Sequence, residues 1–343
     1  MKDWRRIKSF AIFITLVAFS ILAAHGSWQF SAIDGAPQVI PENQLAINGQ
    51  NQLCMTTYDK HSDSLFYCWL ENDSWHIEMI DSIGDAGATN DLYIDSYGYP
   101  HVLYSRTTSS LSECMYAYRD VNGWHREVAG SSSGLIWDTS LVVTATGAIH
   151  GIYHDDDDLG VIYTLRDIQG SWSHENIDAS GKRPDIDLTP SNYPVIVYST
   201  QSGSLLKSTL TGSGWVTDAL EESVNVQDKP VLRIGESGYQ HVLYHDETSD
   251  TLQYRGWDPV TEDVTYRQVC HEQRISDYAS MTLDTDGYPH ILCYYYNILF
   301  YLHQVPGNQW ISEELDYGSI GSTIFTSIVL DHNEEVHLTY FSY

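Results

Sequence analysis

One short sequence pattern, Pro-His-x-x-Tyr in its fullest form, returns along this chain of 343 residues at a nearly constant interval. It stands out most in residues 95–104 and 284–292, where an Asp and a Gly-containing turn come before the Pro and His. Self-similarity at such a period is typical of proteins built from stacked repeats, so it constrains the fold more strongly than length does. The position of the His in this pattern recurs at steps of 45 to 49 residues. It is occupied by Met55, His101, His150, Val195, His241, His290 and His337.

Each repeat, with a period of about 46 residues, has the pattern of four short strands. An apolar strand ends near an Asp, a Gly or Asn turn follows, and the Pro-His strand comes next. The third strand carries a Tyr, and the fourth opens with a Trp. An aromatic content of 13% also favours strands. The recurring aromatic positions are Tyr67, Tyr116, Tyr163, Tyr254 and Tyr301 in the third strand, and Trp75, Trp124, Trp172, Trp215 and Trp310 in the fourth. In the fifth repeat Tyr266 takes the place of the Trp.

The two ends of the repeat region complement each other. Residues 27–34 resemble an isolated fourth strand, and residues 327–343 supply only a first and a second strand. Pairing the two ends would leave no exposed sheet edge between the first and last repeats. We therefore predict an all-β chain in which residues 27–343 form a seven-bladed β-propeller, with the last blade closed by the N-terminal strand of the mature chain.

Residues 1–26 are predicted to be a signal peptide. Basic residues precede an apolar run over 10–24, and small residues follow at a suitable cleavage position. The run is short for a membrane-spanning helix, although an uncleaved anchor remains the alternative. We expect a protein that is secreted, either extracellular or in the cell envelope, with no membrane attachment beyond the export signal.

Charge restricts the partners. The formal net charge of −29 makes nucleic acid an unlikely ligand, because such a surface repels phosphate backbones. The expected state is a monomer without a cofactor. Of five cysteines, Cys54 and Cys68 fall on adjacent predicted strands of an exported chain and are candidates for a disulfide.

The Gly-x-Pro-His-x-x-Tyr strand and the turn followed by Trp resemble exported bacterial and archaeal propellers with BNR-like or sialidase-superfamily blades. The resemblance covers residues 27–343 and implies architecture only. The Asp-box of that family, Ser-x-Asp-x-Gly-x-Thr-Trp, keeps its Trp here but loses its Ser-x-Asp, for instance at 72–75 and 122–124. The arginine triad and the Tyr nucleophile of a sialidase cannot be placed either, so sialidase activity is not implied.

The recurring histidines are interpreted as structural. His occupies five of seven equivalent positions, and a catalytic residue usually breaks the symmetry of a repeat rather than following it. Each is expected to hold a turn or to pack between blades.

The ligand site is predicted on the face formed by the loops that lead from a fourth strand to the next first strand, because binding residues often lie on loops. Three consecutive loops of this kind each pair a base with an acid, and these could bind a carboxylate or sulfate on a sugar beside an aromatic platform. The alternative is a set of local ion pairs on solvated loops. The candidate ligand-binding residues are Trp137, Asp138, Arg183, Asp185, Asp228, Lys229, His271, Arg274, Asp277 and Tyr278.

A run of acids on a neighbouring loop, Asp155, Asp156, Asp157 and Asp158, is a candidate site for Ca²⁺, which prefers oxygen ligands. No spacing there matches a known calcium loop. The alternative is a solvated acidic loop without a metal.

The function that these patterns favour is non-catalytic binding by a secreted propeller, with a carbohydrate or a cell-surface protein as partner. The alternative is a polysaccharide-active enzyme, a glycoside hydrolase or lyase, whose site lies on the same loop face. The sequence contains none of the hydrolase, zinc-protease or phosphate-loop motifs that would identify a catalytic residue.

Overall fold

A computed structural model describes residues 14–18, 29–32, 39–157, 160–226, 228–270, 279–295, 298–317 and 325–341. Over these ranges the chain forms β-strands, turns and bends, and no α-helix occurs among them. The prediction of an all-β protein is therefore confirmed.

The described strands are numbered here in chain order. They are β1 (Ile14–Ala18), β2 (Gln29–Ala32), β3 (Val39–Ile47), β4 (Leu53–Asp59), β5 (Ser64–Glu71), β6 (Ser74–Asp81), β7 (Asp85–Ile94), β8 (Pro100–Thr107), β9 (Ser112–Asp120), β10 (Gly123–Ser132), β11 (Ile136–Val143), β12 (Ile149–Asp155), β13 (Gly160–Arg166), β14 (Trp172–Asp178), β15 (Gly181–Leu188), β16 (Pro194–Thr200), β17 (Leu205–Thr211), β18 (Gly214–Glu221), β19 (Val231–Ile234), β20 (Gln240–Asp246), β21 (Thr251–Trp257), β22 (Val264–Cys270), β23 (Ser280–Leu283), β24 (Pro289–Tyr295), β25 (Ile298–Val305), β26 (Gln309–Tyr317), β27 (Thr326–Leu330) and β28 (Val336–Phe341).

Six antiparallel sheets each contain four strands that are consecutive in the chain: β3–β6, β7–β10, β11–β14, β15–β18, β19–β22 and β23–β26. The first strand of each sheet contacts the first strand of the next, so the six sheets are arranged around a common axis. We number these blades one to six. Since each sheet has two faces to bury and neighbours cover them, the arrangement is a β-propeller.

A further sheet brings the two ends of the chain together, with the strand order β2-β1-β28-β27. It lies between the sixth and first blades, because β27 contacts both β23 and β3, and the Ser327 hydroxyl accepts a hydrogen bond of 3.0 Å from the Leu45 N–H. Residues 27–34 were expected directly beside the last strand. Instead β1, which belongs to the predicted signal peptide, pairs with β28, and β2 lies outside it.

The described residues thus support six blades of consecutive strands. The predicted count of seven, and closure of the ring by residues 27–34, are not confirmed. Trp28, on which that closure was predicted, lies outside the described residues.

The recurring aromatic residues join one blade to the next. The Tyr of a third strand meets, edge to face, the Trp that opens the fourth strand of the following blade. For Tyr116 and Trp172 the ring centroids are 5.5 Å apart, and for Tyr163 and Trp215 they are 5.0 Å apart. Edge-to-face pairs of this kind add to the stabilisation from burial alone. The aromatic pattern in the sequence therefore reflects the interface between blades.

The predicted disulfide is not formed, since both Cys54 and Cys68 are free and buried. The register explains why: Cys54 lies opposite Trp69, and Cys68 lies opposite Met55. The two cysteines are therefore offset by one residue and point to opposite faces of the first blade. Burial raises the pKa of both thiols, to about 11 for Cys54 and about 12 for Cys68, which leaves them unreactive at neutral pH.

Candidate functional site

The first strands surround a cavity of about 110 Å³ at the centre of the ring. Its wall combines polar and apolar groups and carries both acids and bases. This mixture suits a ligand that offers both hydroxyl groups and acceptor oxygens. The described lining residues are Gln44, Thr89, Asn90, Asp91, Asp138, Thr139, Asp185, Lys229, Val231, Arg233, Ala279, Ser280, Phe325 and Thr326.

Two carboxylates of the wall link neighbouring blades. Asp91 accepts a hydrogen bond of 2.9 Å from the Leu141 N–H and one of 3.1 Å from the Ser140 hydroxyl. Asp185 accepts a hydrogen bond of 2.8 Å from the Leu232 N–H, and it lies 2.8 Å from the same Ser140 hydroxyl, whose single hydrogen is shared between the two carboxylates. Both carboxylates therefore satisfy main-chain groups of the next blade, and their first role is structural.

Arg233 neutralises part of this buried negative charge. Its guanidinium lies 3.2 Å from Asp185 and also donates to the Leu232 carbonyl. Burial raises the pKa of Asp187 to about 6, with the charge of Arg233 opposing that rise, and burial raises the pKa of Asp91 as well. Acids and a base share a desolvated wall, so each partly offsets the cost of burying the others.

Lys229 and Asp138 differ from these groups because they retain hydrogen-bonding capacity. The Lys229 ammonium donates to the Thr139 carbonyl at 3.1 Å, and no other described residue accepts a hydrogen bond from it. No described residue donates a hydrogen bond to the Asp138 carboxylate. An ammonium group has three donors and a carboxylate accepts several hydrogen bonds, so this pair can bind an oxygen-rich ligand.

Local backbone geometry orients the residues at the cavity entrance. Asp138 and Arg183 both have a φ of 53°, in the left-handed region that non-glycine residues rarely adopt. Each lies within a β-bulge, between Trp137 and Ser140 in β11 and between Lys182 and Asp185 in β15. Bulges redirect side chains and are frequent beside functional sites.

Arg183 and Asp228 meet beside the cavity. The Arg183 guanidinium lies 3.9 Å from the Asp228 carboxylate, which also accepts a hydrogen bond of 2.8 Å from His245 Nδ1. Burial lowers the pKa of His245, but the carboxylates of Asp228 and Asp250 outweigh this and raise it overall. Asp228 is therefore held by two partners, and Arg183 is the more available of the two predicted residues.

The predicted site is partly assembled. Asp138, Asp185 and Lys229 line the cavity, and Arg183 and Asp228 lie next to it. Trp137 lies beside Asp138 with an exposed fraction of 41%, as a stacking platform requires. The remaining predicted residues, His271, Arg274, Asp277 and Tyr278, lie outside the described residues.

The acidic loop after β12 does not form a described cluster of metal ligands. Asp155 is buried, whereas Asp156 and Asp157 are exposed, and Asp158 lies outside the described residues. Calcium binding there stays a prediction. Among the residues that the structure describes, one set could hold an ion, Asp331, Glu335 and His337, with ligand atoms within 4.8 Å of one another. The Asp331 carboxylate already accepts N–H groups of its own turn from Asn333 and Glu335.

The recurring histidines have the structural role that the sequence predicted. Nδ1 of His101 lies 2.6 Å from the Tyr116 hydroxyl, and its Nε2 lies 3.3 Å from Asp95. The same Asp accepts the N–H groups of Tyr97 and Tyr99 and so fixes the turn between the first two strands. Equivalent His–Tyr contacts are His150 with Tyr163, His241 with Tyr254 and His290 with Tyr301.

Sequence reasoning missed Asp91 and Arg233 on the cavity wall. Both lie within first strands, where an acid or a base that faces the cavity cannot be told from one that faces away without the register of the strand, and in β7 a bulge shifts that register. For Asp91 a local signal existed, since its strand is otherwise apolar from 92 to 94.

No family model matches this chain, and no curated protein matches it in sequence. Solved structures do match it in fold. SapL1 lectin in complex with alpha methyl fucoside superposes with a TM-score of 0.54 at 12% identity, over 82% of this chain and 98% of that one. A fungal lectin from Aleuria aurantia, described as a six-bladed β-propeller with a novel fucose recognition mode, gives 0.54 at 10% identity, over 83% and 99%.

A third match carries the name of an enzyme. It is a putative 6-phosphogluconolactonase from Bacteroides uniformis, with a TM-score of 0.55 at 10% identity, covering 88% of this chain and 95% of that one. At these identities the matches show the β-propeller fold alone. None of the three is described as a sialidase or a BNR-like protein, and that resemblance is not supported.

None of the described residues belongs to a helix long and apolar enough to cross a membrane.

Proposed function

We propose that this chain is a secreted, non-catalytic propeller that binds carbohydrate at the mouth of its central cavity. The proposal rests on Lys229 and Asp138, a donor and an acceptor that can each form further hydrogen bonds. The other charged groups on the described wall already have hydrogen-bond or ion-pair partners. Lys229 would donate to a carboxylate or hydroxyl of the sugar, and Asp138 would accept from a neighbouring hydroxyl. Trp137 offers an exposed aromatic face to the C–H side of the ring.

The Lys229 ammonium would be the group that binds a carboxylate on an acidic sugar. It keeps hydrogen-bond donors for this role, whereas the nearby Arg183 and Arg233 are paired with Asp228 and Asp185. The fold supports the proposal in a general way, because two of the matching propellers are lectins described with fucose.

Binding is favoured over catalysis by the state of the carboxylates. A pair of carboxylates for glycoside hydrolysis needs one free nucleophile or base and one free acid. On this wall Asp91 and Asp185 are engaged by main-chain N–H groups and by Ser140. The competing hypothesis, a hydrolase or lyase, predicts chain cleavage and is tested by the release of reducing ends.

We also propose that the mature chain begins near Ser27 and that its first strand closes the ring as part of a seventh blade. Supporting this, the sheet that contains both chain ends lies between the sixth and first blades, and β2 already belongs to it. Once residues 1–26 are removed, β28 loses β1 as its neighbour. β2 is then the strand available to cover that edge.

The binding site is tested by replacing Lys229 with Ala and measuring binding to immobilised uronate-containing oligosaccharides. Since the ammonium provides the free donors, Lys229→Ala is expected to weaken binding at least tenfold, with the melting temperature nearly unchanged. Lys60→Ala is the matched control, because Lys60 is an exposed lysine on a loop far from the cavity wall. Equal affinity of Lys229→Ala and wild type would remove the site assignment.

A further inference from the structure

The fourth strands of the six blades share a β-bulge near their ends, and the residue that follows the bulge occupies the same place in every blade. The register shows this directly, since that residue pairs with the first positions of the third strand. Four of the six positions hold an acid. In blade order the residues are Asp81, Gly130, Asp178, Glu221, Cys270 and Asp316.

In the first blade the acid at this position holds a tyrosine of the second blade. Asp81 accepts a hydrogen bond of 2.8 Å from the Tyr104 hydroxyl, and both residues are buried. The same relation recurs further along the ring. After burial, which is the main cause, Asp178 raises the pKa of Tyr198, and Glu221 raises the pKa of Tyr244. Acid and tyrosine are thus a repeated junction between neighbouring blades.

The junction between the second and third blades breaks this rule. The equivalent tyrosine is Tyr153, and the residue facing it is Gly130, which offers no carboxylate. The Tyr153 hydroxyl lies so close to Gly130 that a Cβ there would collide with it. No described residue forms a hydrogen bond with this hydroxyl, although Tyr153 is only 4% exposed.

A second polar atom at the same junction also lacks a partner. Asp155 is 1% exposed, and its Oδ1 accepts hydrogen bonds from the Ser132 hydroxyl at 2.7 Å and the Asp157 N–H at 3.0 Å. Its Oδ2 is buried and has no partner among the described residues. A buried carboxylate oxygen without a donor is costly and calls for an explanation.

The corresponding turns of other blades show what is missing. In the first and fifth blades, the third residue after the Asp that ends the second strand is a serine. Its hydroxyl donates to that Asp: Ser62 to Asp59 at 2.7 Å, and Ser249 to Asp246 at 2.8 Å. At the third blade that position is Asp158, which is not a hydroxyl donor. The sequence therefore leaves the carboxylate of Asp155 without the serine donor that is present in the first and fifth blades.

Both groups line one groove, with a volume of about 430 Å³, between the outer strands of the second and third blades. Tyr153, Asp155 and Ile162 are buried on its floor, and Val128 and His174 are exposed at its edge. An acceptor, a hydroxyl and apolar side chains thus face the same space. A pyranose ring presents the same combination, hydroxyl groups around its rim and C–H groups on its face.

We propose that this groove is a binding site for a neutral saccharide unit, with Asp155 accepting a hydrogen bond from a sugar hydroxyl and the Tyr153 hydroxyl bonding a second sugar oxygen. This inference rests on the proposed carbohydrate binding and adds a site distinct from the central cavity. A cation is a poorer match, because the described carboxylates that line the groove are only two, Asp155 and Glu175, whereas Ca²⁺ takes six to eight oxygen ligands.

The experiment measures binding of a panel of neutral methyl glycosides by saturation-transfer NMR. The wild-type protein is expected to bind at least one of them. Asp155→Asn and Tyr153→Phe preserve the shape of the groove and are each expected to weaken that binding at least tenfold.

Tyr104→Phe is the matched control, because it removes a tyrosine hydroxyl at the junction where Asp81 is the partner. It is expected to lower the melting temperature and leave glycoside binding unchanged. Folding of every variant is checked by the near-ultraviolet circular dichroism of the intact protein.

The outcomes separate the two proposals. If folded Asp155→Asn and Tyr153→Phe bind neutral glycosides as the wild type does, the groove is not the site, and the cavity proposal is unaffected. If the wild type binds uronate oligosaccharides through Lys229 but no neutral glycoside, the groove proposal alone is overturned. If it binds neither, both proposals are wrong.

Discussion

At the scale of single residues, His101 and His290 each act through both ring nitrogens, one beside a Tyr hydroxyl and one beside an Asp carboxylate. Since Nε2 of His101 faces the Asp95 carboxylate, this nitrogen carries the hydrogen, and Nδ1 then accepts from the Tyr116 hydroxyl. One neutral imidazole therefore joins the turn that Asp95 fixes to the third strand of the same blade. Burial lowers the pKa of His101, His150 and His241, so these imidazoles prefer the neutral form in the folded protein.

The pH dependence of stability follows from the lowered pKa values of these buried histidines. Burial lowers the pKa of His150 to about 4 and that of His241 to about 4. The unfolded chain takes up protons on these groups from about pH 6.5 downward, whereas the folded chain does not. Stability is therefore lost as the pH falls from about 6.5 to 4. Asp187, whose pKa is raised to about 6, changes stability in the opposite direction, since its folded form favours the proton.

His150→Val tests the histidine contribution, and the chain itself supplies the substitute, because Val195 occupies the same place in the fourth blade. At pH 7 the variant is expected to be less stable, since the Tyr163 hydroxyl loses its partner. Between pH 6.5 and 4 the gap from wild type is expected to narrow by up to roughly 3 kcal/mol. Urea unfolding at a series of pH values measures it, and parallel curves for the two proteins would contradict the assignment.

Residue-level prediction succeeded where the repeat enforces a contact and failed where the contact depends on register. The histidines were correctly interpreted as structural, because five equivalent positions point to one shared role. The prediction of a disulfide between Cys54 and Cys68 was wrong. The two cysteines are offset by one residue and so lie on opposite faces of the sheet, which the sequence does not reveal without the register of the paired strands. Gly130 was missed for a related reason: its importance appears only when the fourth strands are aligned after their bulges.

At the scale of strands, the sequence predicted the type and order of the elements well. Alternating apolar residues, Gly or Asn turns and a Trp at the start of each fourth strand are local signals that survive in almost every repeat. The first strands were harder, because a bulge within β7, β11 and β15 shifts which residues face the cavity. Asp91, in β7, could not be assigned to the wall for that reason.

The chain ends provide the sharpest prediction at this scale. The mass of the exported protein is expected to correspond to a chain that begins near Ser27, and amides of β28 are expected to be protected from hydrogen exchange by pairing with residues of β2. Export without loss of mass would mean that β1 remains beside β28, as in the pairing of Ile14 with Phe341. Unprotected amides in the shortened chain would show that the ring is not closed in this way.

At the scale of the whole molecule, a ring of similar blades separates what is repeated from what is not. Repeated features, such as the Tyr–Trp contacts and the His–Tyr pairs, stabilise the interfaces between blades. The two proposed ligand sites both occur where repetition fails: at the cavity mouth, where Asp138 and Lys229 retain free capacity, and at Gly130, where a tyrosine loses its acid. The fold was predictable because it depends on the repeated residues, and the sites were not because they depend on the exceptions.

The most direct test of the central claim, that this propeller binds carbohydrate without cleaving it, is to apply the purified mature protein to an array of neutral and uronate-containing glycans and to assay the same glycans in solution for new reducing ends. The account predicts binding to a defined subset of glycans and no release of reducing ends. Cleavage of any bound glycan, or the absence of binding to every glycan on the array, would contradict it.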